Sequence, residues 1–521
     1  LYQAAHQLDP AFADAVHHLG IIALQTNRLA DSIKLIQQAL ALDPTDSSAY
    51  NNLGMALEDS RQPDAALSAY DEALKLASGN VEALLNRGNV LQTLKRFDQA
   101  LINYDRLIAL VPGYPDAYNN RGNVLRALGR HQEAIASFDR AIALNPGFAQ
   151  AFNNKGVALK DLKRLEEAVV CYNKTLSLQT GYADAYGNLG VALKELRRMD
   201  QARLSFDRAI ALKPDQAQFY GNRGGLFQEI GQNENALSDY EKALELDPGI
   251  VVLYGKRLHV QMLLCNWTDF DQRTEQILSC IENGQAAADP FTVLTLIDSP
   301  QVQLQAAKLA AKQYAVVDQP LGALQKNPSH TKIRIGYFSA DLREHPVAYL
   351  MAEVFEKHDK EHFELYAFAL GRPARDAMQQ RIAAAFDHFI EVGSLADREV
   401  AALARTHEID VAVDLGGFTI HHRPGIFAYR AAPVQVQYIG YLGTMGADYI
   451  DYLLADETLI PVQSQTFYTE KIAYLPSYQA NDSKREIAAR SFTRTELGLP
   501  EDAFVFCCFN NNYKITPDTF D

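Results

Sequence analysis

The sequence predicts an α-solenoid of helix-pair repeats followed by a doubly wound α/β lobe. Three observations carry this. Glycine recurs every 34 residues from Gly20 to Gly224, the pattern decays after Pro248, and from Lys332 short β-branched and aromatic runs alternate with helical stretches. At about 150 residues per domain, a chain of 521 residues holds roughly three to four domain-sized units, so neither disulfides nor metals are needed as staples.

The repeat half comes first. Glycines fall at 20, 54, 88, 122, 156, 190 and 224, alanines at 66, 100, 134, 168, 202 and 236, and aromatics at Tyr70, Tyr104, Phe138, Tyr172, Phe206 and Tyr240. Proline closes most units, at Pro10, Pro44, Pro112, Pro146, Pro214 and Pro248, with Ser78 and Thr180 in its place elsewhere. Small residues let two antiparallel helices approach, the aromatic fills the gap, and proline stops the second helix. Period and positions match the tetratricopeptide repeat, which assigns residues 1–250 to a repeat superhelix with one continuous core.

A second register accompanies the first. Asn52, Asn86, Asn120, Asn154, Asn188 and Asn222 each precede a repeat glycine by two positions, with His18 in the first unit. The slot lies on the first helix of each repeat, the side expected to line the concave face. A column of carboxamides there is suited to hold an extended peptide by its backbone, a sequence-tolerant mode of recognition. The competing interpretation is a merely tolerated polar residue.

Leu1 to Pro10 fit the end of a repeat, so the chain is expected to begin inside a longer solenoid. After Pro248 the pattern decays: Leu258 takes the glycine slot, and residues 251–330 are expected to be helices of a transition segment.

The α/β lobe is assigned to 331–485. Strands are expected at Ile333–Ser339, Phe363–Ala369, Phe386–Val392, Ile409–Leu415, Val434–Tyr441, Tyr449–Ala455 and Lys471–Leu475, with helices at Pro346–Lys357, Arg375–Ala385 and Ala396–Thr406. Ligands of such sheets bind beyond the carboxyl ends of strands. Three unusual segments follow strands there: SADLREHP, DLGGFTIHHRP and GYLGTMGA. Residues 486–521 read as a linker and a strand at Ala503–Phe509 that opens a second, incomplete lobe.

Composition narrows the function classes. Forty-nine basic against 64 acidic residues leave a net charge of −15, which disfavours generic binding to nucleic acid or to an anionic membrane surface. The cysteines (Cys171, Cys265, Cys280, Cys507, Cys508) show neither zinc nor disulfide spacing, which is simplest in a reduced, cytoplasmic compartment. No apolar run reaches the ~18 residues of a membrane span. His421 and His422 lack a carboxylate partner and give weak grounds for a metal. Asp414, at a strand end, reads as a loop-holding group, and Cys507 and Cys508 as buried in a strand. No GxSxG, Walker or GxGxxG motif supports a hydrolase, ATPase or dinucleotide enzyme.

Tandem tetratricopeptide repeats joined to SADLREHP, DLGGFT, GYLGTMGA and FNNNYKITP resemble the protein O-GlcNAc transferases, and the short linker resembles bacterial members. The resemblance implies a two-lobe GT-B glycosyltransferase, the Rossmann-like lobe here being its N-terminal half. It implies transfer of N-acetylglucosamine from UDP-GlcNAc to Ser or Thr of polypeptides held by the repeats, with inversion and with no metal or other cofactor.

Residue by residue, His345 matches the family's active-site histidine, and Lys514 the lysine at the donor diphosphate. Asn511 stands where animal enzymes carry glutamine, and Tyr513 matches the neighbouring tyrosine. Gly443 and Thr444 match the Gly-Thr of the GYPGT loop beside the sugar. Leu442 replaces that loop's proline, which removes a rigid element. An imidazole in the position of His345 is able to take the hydroxyl proton or to orient the sugar. A Spindly-type O-fucosyltransferase using GDP-fucose and a non-catalytic repeat scaffold are the other readings. Oligomeric state stays open.

Overall fold

The computed structural model describes residues 2, 9, 11–314, 320–324, 330–371, 373–421, 423–484 and 490–500. The expected strand at 503–509, with Cys507, Cys508, Asn511, Tyr513 and Lys514, and also His422, lie outside the described residues. The chain divides into two compact units, Leu1–Leu212 and Lys213–Asp521.

The first unit is built of helix pairs. First helices run Ala13–Gln25, Ser47–Asp59, Val81–Thr93, Pro115–Ala127, Ala149–Asp161 and Ala183–Glu195; their partners run Leu29–Leu42, Pro63–Leu76, Phe97–Leu110, His131–Leu144, Leu165–Leu178 and Met199–Leu212. The registers read from the sequence pack as expected. Tyr70, Tyr104, Phe138, Tyr172 and Phe206 are fully buried. Each ring packs on the repeat glycine, where an added Cβ would stand 2.4–2.6 Å from a ring carbon. Helix crossing at that point therefore depends on the missing side chain. In the first pair Ile36 takes the ring's place over Gly20.

One device escaped the sequence reading. The residue between the two helices of each pair is left-handed: Asn27, Arg61, Lys95, Gly129, Lys163, Arg197 and, in the second unit, Gly231 all have φ between 56° and 75°. The next amide closes back across the last turn, as Arg96 N–H does on the Leu91 carbonyl at 2.8 Å.

The second unit opens with a further helix pair, Ala217–Glu229 and Asn233–Leu246, in which Tyr240 is fully buried beside Gly224. Helices Val252–Leu263, Phe270–Glu282, Pro290–Leu296 and Pro300–Ala311 follow. A parallel sheet comes next, of strands β1 (Ile333–Ser339), β2 (Phe363–Ala369), β3 (His388–Glu391), β4 (Val411–Asp414), β5 (Val434–Gln437), β6 (Tyr452–Ala455) and β7 (Lys471–Tyr474), in the order β3-β2-β1-β4-β5-β6-β7. Adjacent residues of β1 feed opposite cores. Tyr337 packs with Met351, Phe355 and Ile382 under helices Pro346–Glu356 and Ala377–Ala385. Phe338 packs with Phe368, Val400 and Phe427 under helix Asp397–Thr406. β1 and β2 have the expected bounds; β3 to β7 are shorter. The expected strand Val434–Tyr441 stops at Gln437 because Ile439 adopts φ 63° and Gly440 lies against the Leu415 carbonyl.

Candidate functional site

The strand order reverses between β1 and β4, so their carboxyl ends frame a topological switch point, where open α/β sheets bind ligands. SADLREHP follows β1 and DLGGFT follows β4, the two sides of that crevice; GYLGTMGA follows β5, one strand further.

The first segment is held from several sides. Ser339 Oγ accepts the Asp341 N–H at 3.0 Å, and Asp376 Oδ2 accepts the Glu344 N–H at 3.0 Å. Asp376 also caps helix Ala377–Ala385 through Gln379 N–H at 2.7 Å, and these backbone donors, that of Glu344 foremost, hold its carboxyl below the usual carboxylate range. Gly371 brings the loop after β2 so near that a Cβ would stand 2.4 Å from the Ala340 carbonyl oxygen.

His345 ends the segment as N-cap of helix Pro346–Glu356. Its extended backbone is what a residue before proline adopts, and its Nδ1 accepts the Val347 N–H at 3.3 Å. Asp341 Oδ2, on a buried residue, lies 3.7 Å from the same nitrogen. The His345 side chain is about one-third exposed.

After β4, the buried carboxylate of Asp414 takes the Gly416 and Gly417 N–H groups at 2.8 and 3.2 Å. Gly417 is left-handed, φ 54°, and a Cβ there would collide with Tyr441. After β5, the Gln437 amide donates to the Tyr441 carbonyl at 2.6 Å. Gly443 sits against the Tyr441 hydroxyl. Thr444 is 3% exposed, with its hydroxyl turned inward to Glu470 Oε2 at 2.7 Å. The β4 and β5 loops thus interlock beside the β1 loop. His421, left-handed and exposed, lies on the outer part of the β4 loop. Among the described residues no cluster of three His, Cys, Asp or Glu side chains is placed to hold a metal ion. Sequence reasoning left out Asp341, Asp376 and Glu470. Only Asp341 carried a signal, four positions before His345.

The asparagine register is an inter-repeat chain in the first unit. Asn86 Nδ2 donates to Asn51 at 3.2 Å, Asn120 to Asn89 at 2.9 Å, Asn154 to Asn119 at 3.0 Å and Asn188 to Asn153 at 3.1 Å. Asn52 bonds His17 Nε2 at 2.9 Å, and His17 Nδ1 faces Asp46 at 3.1 Å. Asn222, in the second unit, accepts from Gln218 on its own helix. All six asparagines are partly exposed.

Residues 264–487 match the family described as Glycosyl transferase family 41. Tetratricopeptide repeat models match 1–47, 51–115, 115–148, 149–181, 183–216 and 217–250. The chain is 31% identical over 282 residues to the Arabidopsis thaliana protein named "Probable UDP-N-acetylglucosamine--peptide N-acetylglucosaminyltransferase SEC", covering 50% of this chain and 29% of that one. It is 27% identical over 231 residues to the UDP-N-acetylglucosamine--peptide N-acetylglucosaminyltransferase of Caenorhabditis elegans, covering 41% of this chain and 20% of that one. A solved structure of a mutant O-GlcNAc transferase of Thermobaculum terrenum aligns at 27% identity and a TM-score of 0.42, over 64% of this chain and 58% of that one. The chain therefore spans less than a third of these two curated relatives. Among the described residues no helix is long and apolar enough to cross a membrane.

Proposed function

We propose that this chain, a tetratricopeptide array joined to a family 41 glycosyltransferase domain and homologous to the O-GlcNAc transferases, belongs to a protein that moves N-acetylglucosamine from UDP-GlcNAc to Ser or Thr hydroxyls. One observation carries the reading: in a family 41 domain, the loops bearing His345 and Asp414 flank the switch point of a single parallel sheet, with the Gly443–Thr444 loop beside them.

The chemistry fits that frame. The acceptor oxygen bonds to the sugar C1 as the C1–O bond to the diphosphate breaks, with inversion, and the hydroxyl gives up its proton. His345, the N-cap of helix Pro346–Glu356, is assigned to the acceptor, where an imidazole is suited to take that proton or to hold the sugar. Charge builds on the departing diphosphate; Lys514, with Asn511 and Tyr513, is assigned to that end, and a cation there replaces a metal. The loop of Gly443 and Thr444 is assigned to the side of the sugar. The asparagine register is assigned to polypeptide, and it is half-exposed along successive first helices, as backbone recognition requires.

The test is transfer by the full-length protein to a Ser/Thr-rich peptide, read by intact mass with UDP-GlcNAc and, separately, GDP-fucose. A HexNAc increment that disappears in His345→Ala and Lys514→Ala supports the reading. A fucose increment alone overturns the donor assignment, and no increment from a folded protein overturns the activity.

A further inference from the structure

We infer that Glu470 is a positioning residue of the transfer site: its buried carboxylate sets the backbone of the Gly443–Gly446 loop, and Thr444 serves the site through that loop and not through its own hydroxyl. The inference rests on the proposed transferase reading.

The hydrogen-bond pattern leaves little freedom. Glu470 is 5% exposed and stands just before β7, at the amino end of that strand. Its Oε1 accepts the Met445 N–H at 2.7 Å and its Oε2 the Thr444 hydroxyl at 2.7 Å. Thr444 Oγ1 in turn lies 3.0 Å from the Gly446 N–H and 3.3 Å from the Thr469 N–H. A hydroxyl has one proton and two lone pairs. Two backbone donors occupy the lone pairs, which leaves the proton to donate. It has two acceptors within reach, Glu470 Oε2 and Thr469 Oγ1 at 3.2 Å, and the shorter, charge-assisted bond is to the carboxylate. Thr444 is then saturated and has nothing left for a sugar.

Packing completes the clamp. Gly446 has φ 62°, and a Cβ there would stand 2.4 Å from the Lys308 nitrogen on helix Pro300–Ala311. With Leu442 in place of the expected proline, and 40% exposed, the loop lacks that ring's rigidity. Glu470 supplies order from beneath. Burial pushes its carboxyl above the usual range, while the bonds from Thr444 and Met445 oppose that push.

The experiment compares Glu470→Gln, Thr444→Val and Thr444→Ser in the full-length protein. Steady-state transfer from UDP-GlcNAc is measured beside amide hydrogen exchange of residues 441–447 and Tm. A glutamine turns an N–H toward either the Met445 N–H or the Thr444 hydroxyl, so one bond is lost. Expected for Glu470→Gln and Thr444→Val is loop exchange at least tenfold faster, with KM for UDP-GlcNAc raised about tenfold and kcat changed less. Tm should stay within a few degrees, and Thr444→Ser, which keeps the hydroxyl, should keep loop exchange within about twofold of wild type. Unchanged exchange in Glu470→Gln would show that the carboxylate does not hold the loop. Faster exchange with unaltered KM and kcat would place the loop outside the site. A wild-type protein that transfers no sugar overturns the transferase reading and Glu470's part in it, and is told apart from the other two by the missing wild-type rate.

Discussion

Asp341 Oδ2 and the Val347 N–H compete for one atom, Nδ1 of His345, at 3.7 and 3.3 Å. The two partners ask for different tautomers. Capping needs a lone pair on Nδ1 and leaves the proton on Nε2; facing Asp341 needs a proton on Nδ1 and frees the Nε2 lone pair. Only the second form accepts a proton at Nε2. Asp341→Asn removes the charge that favours it, so single-turnover transfer should slow by about tenfold, roughly 1.4 kcal/mol of barrier. Because Asp341 is itself 8% exposed, asparagine is the substitution least disruptive to packing. An unchanged rate would make His345 a donor that orients the sugar.

The asparagine register holds repeats together as well as facing outward. Replacing Asn154 by Ala takes the Nδ2 donor from Asn119 and leaves that buried carboxamide oxygen unpaired, at about 1 kcal/mol. Asn154→Asp keeps an acceptor but brings a carboxylate to the same oxygen, so thermal unfolding should drop at least as far as for Ala. Peptide affinity, measured by calorimetry well below the transition, should weaken in both and more in an Asn120/Asn154 double variant. Lower Tm with unaltered affinity would leave the register a structural staple only.

Acid should loosen the sheet at its β1–β2–β3 edge. Glu364 on β2 accepts from His388 at 3.0 Å, Tyr366 at 2.9 Å and Arg334 at 2.9 Å. Burial alone would raise its carboxyl, but these bonds and the Arg334 charge bring it down to about 2. A lowered carboxylate stabilises the fold fully above its unfolded pKa of roughly 4.3, and that stability is lost as pH falls toward 2. The contribution at neutral pH is on the order of 2–3 kcal/mol. In Glu364→Gln, midpoints of denaturant unfolding followed from pH 7 to pH 2.5 should start lower and fall less steeply than in wild type. Parallel curves for the two proteins would refute the assignment.

What the sequence disclosed follows from what repeats in it. Glycine, alanine and aromatic slots at a 34-residue period report helix-to-helix contacts made once per repeat, and the rings over Gly54 to Gly190 lie where that period puts them. β1 and β2 were legible to the residue because each ends in a run buried on both faces, four residues in β1 and five in β2. The later strands were drawn too long. Tyr438, Ile439 and Tyr441 have β-forming side chains, but the segment is bent away by loop contacts from Leu415 and Gly417, which no local pattern encodes. The site was legible only where a motif is contiguous. His345 and Asp341 share one segment, whereas Thr444 meets Glu470 across 26 residues and Glu344 meets Asp376 across 32. The left-handed slot went unread because its residues, Asn, Arg, Lys, Gly, Lys, Arg and Gly, share a backbone angle and not a side chain.

That slot yields the last prediction. A residue with a Cβ at φ near +60° is strained by roughly 1 kcal/mol relative to glycine. Lys95 sits there with φ 56°, its backbone N–H on the Gln92 carbonyl at 3.0 Å, and the helix end is closed by Arg96 N–H on Leu91. The backbone bonds need no side chain, so Lys95→Gly keeps them and removes the strain. Part of the gain is returned through the freer unfolded chain, leaving about 0.5 kcal/mol of added stability. Gly129, at φ 72° in the same slot, is the reciprocal case: Gly129→Ala should cost about 1 kcal/mol and lower Tm by roughly 2–4 °C. Measured in one background by calorimetry, the two variants should move in opposite directions. Movement in the same direction would mean that side-chain contacts at the repeat surface, and not the left-handed backbone, set the residue there.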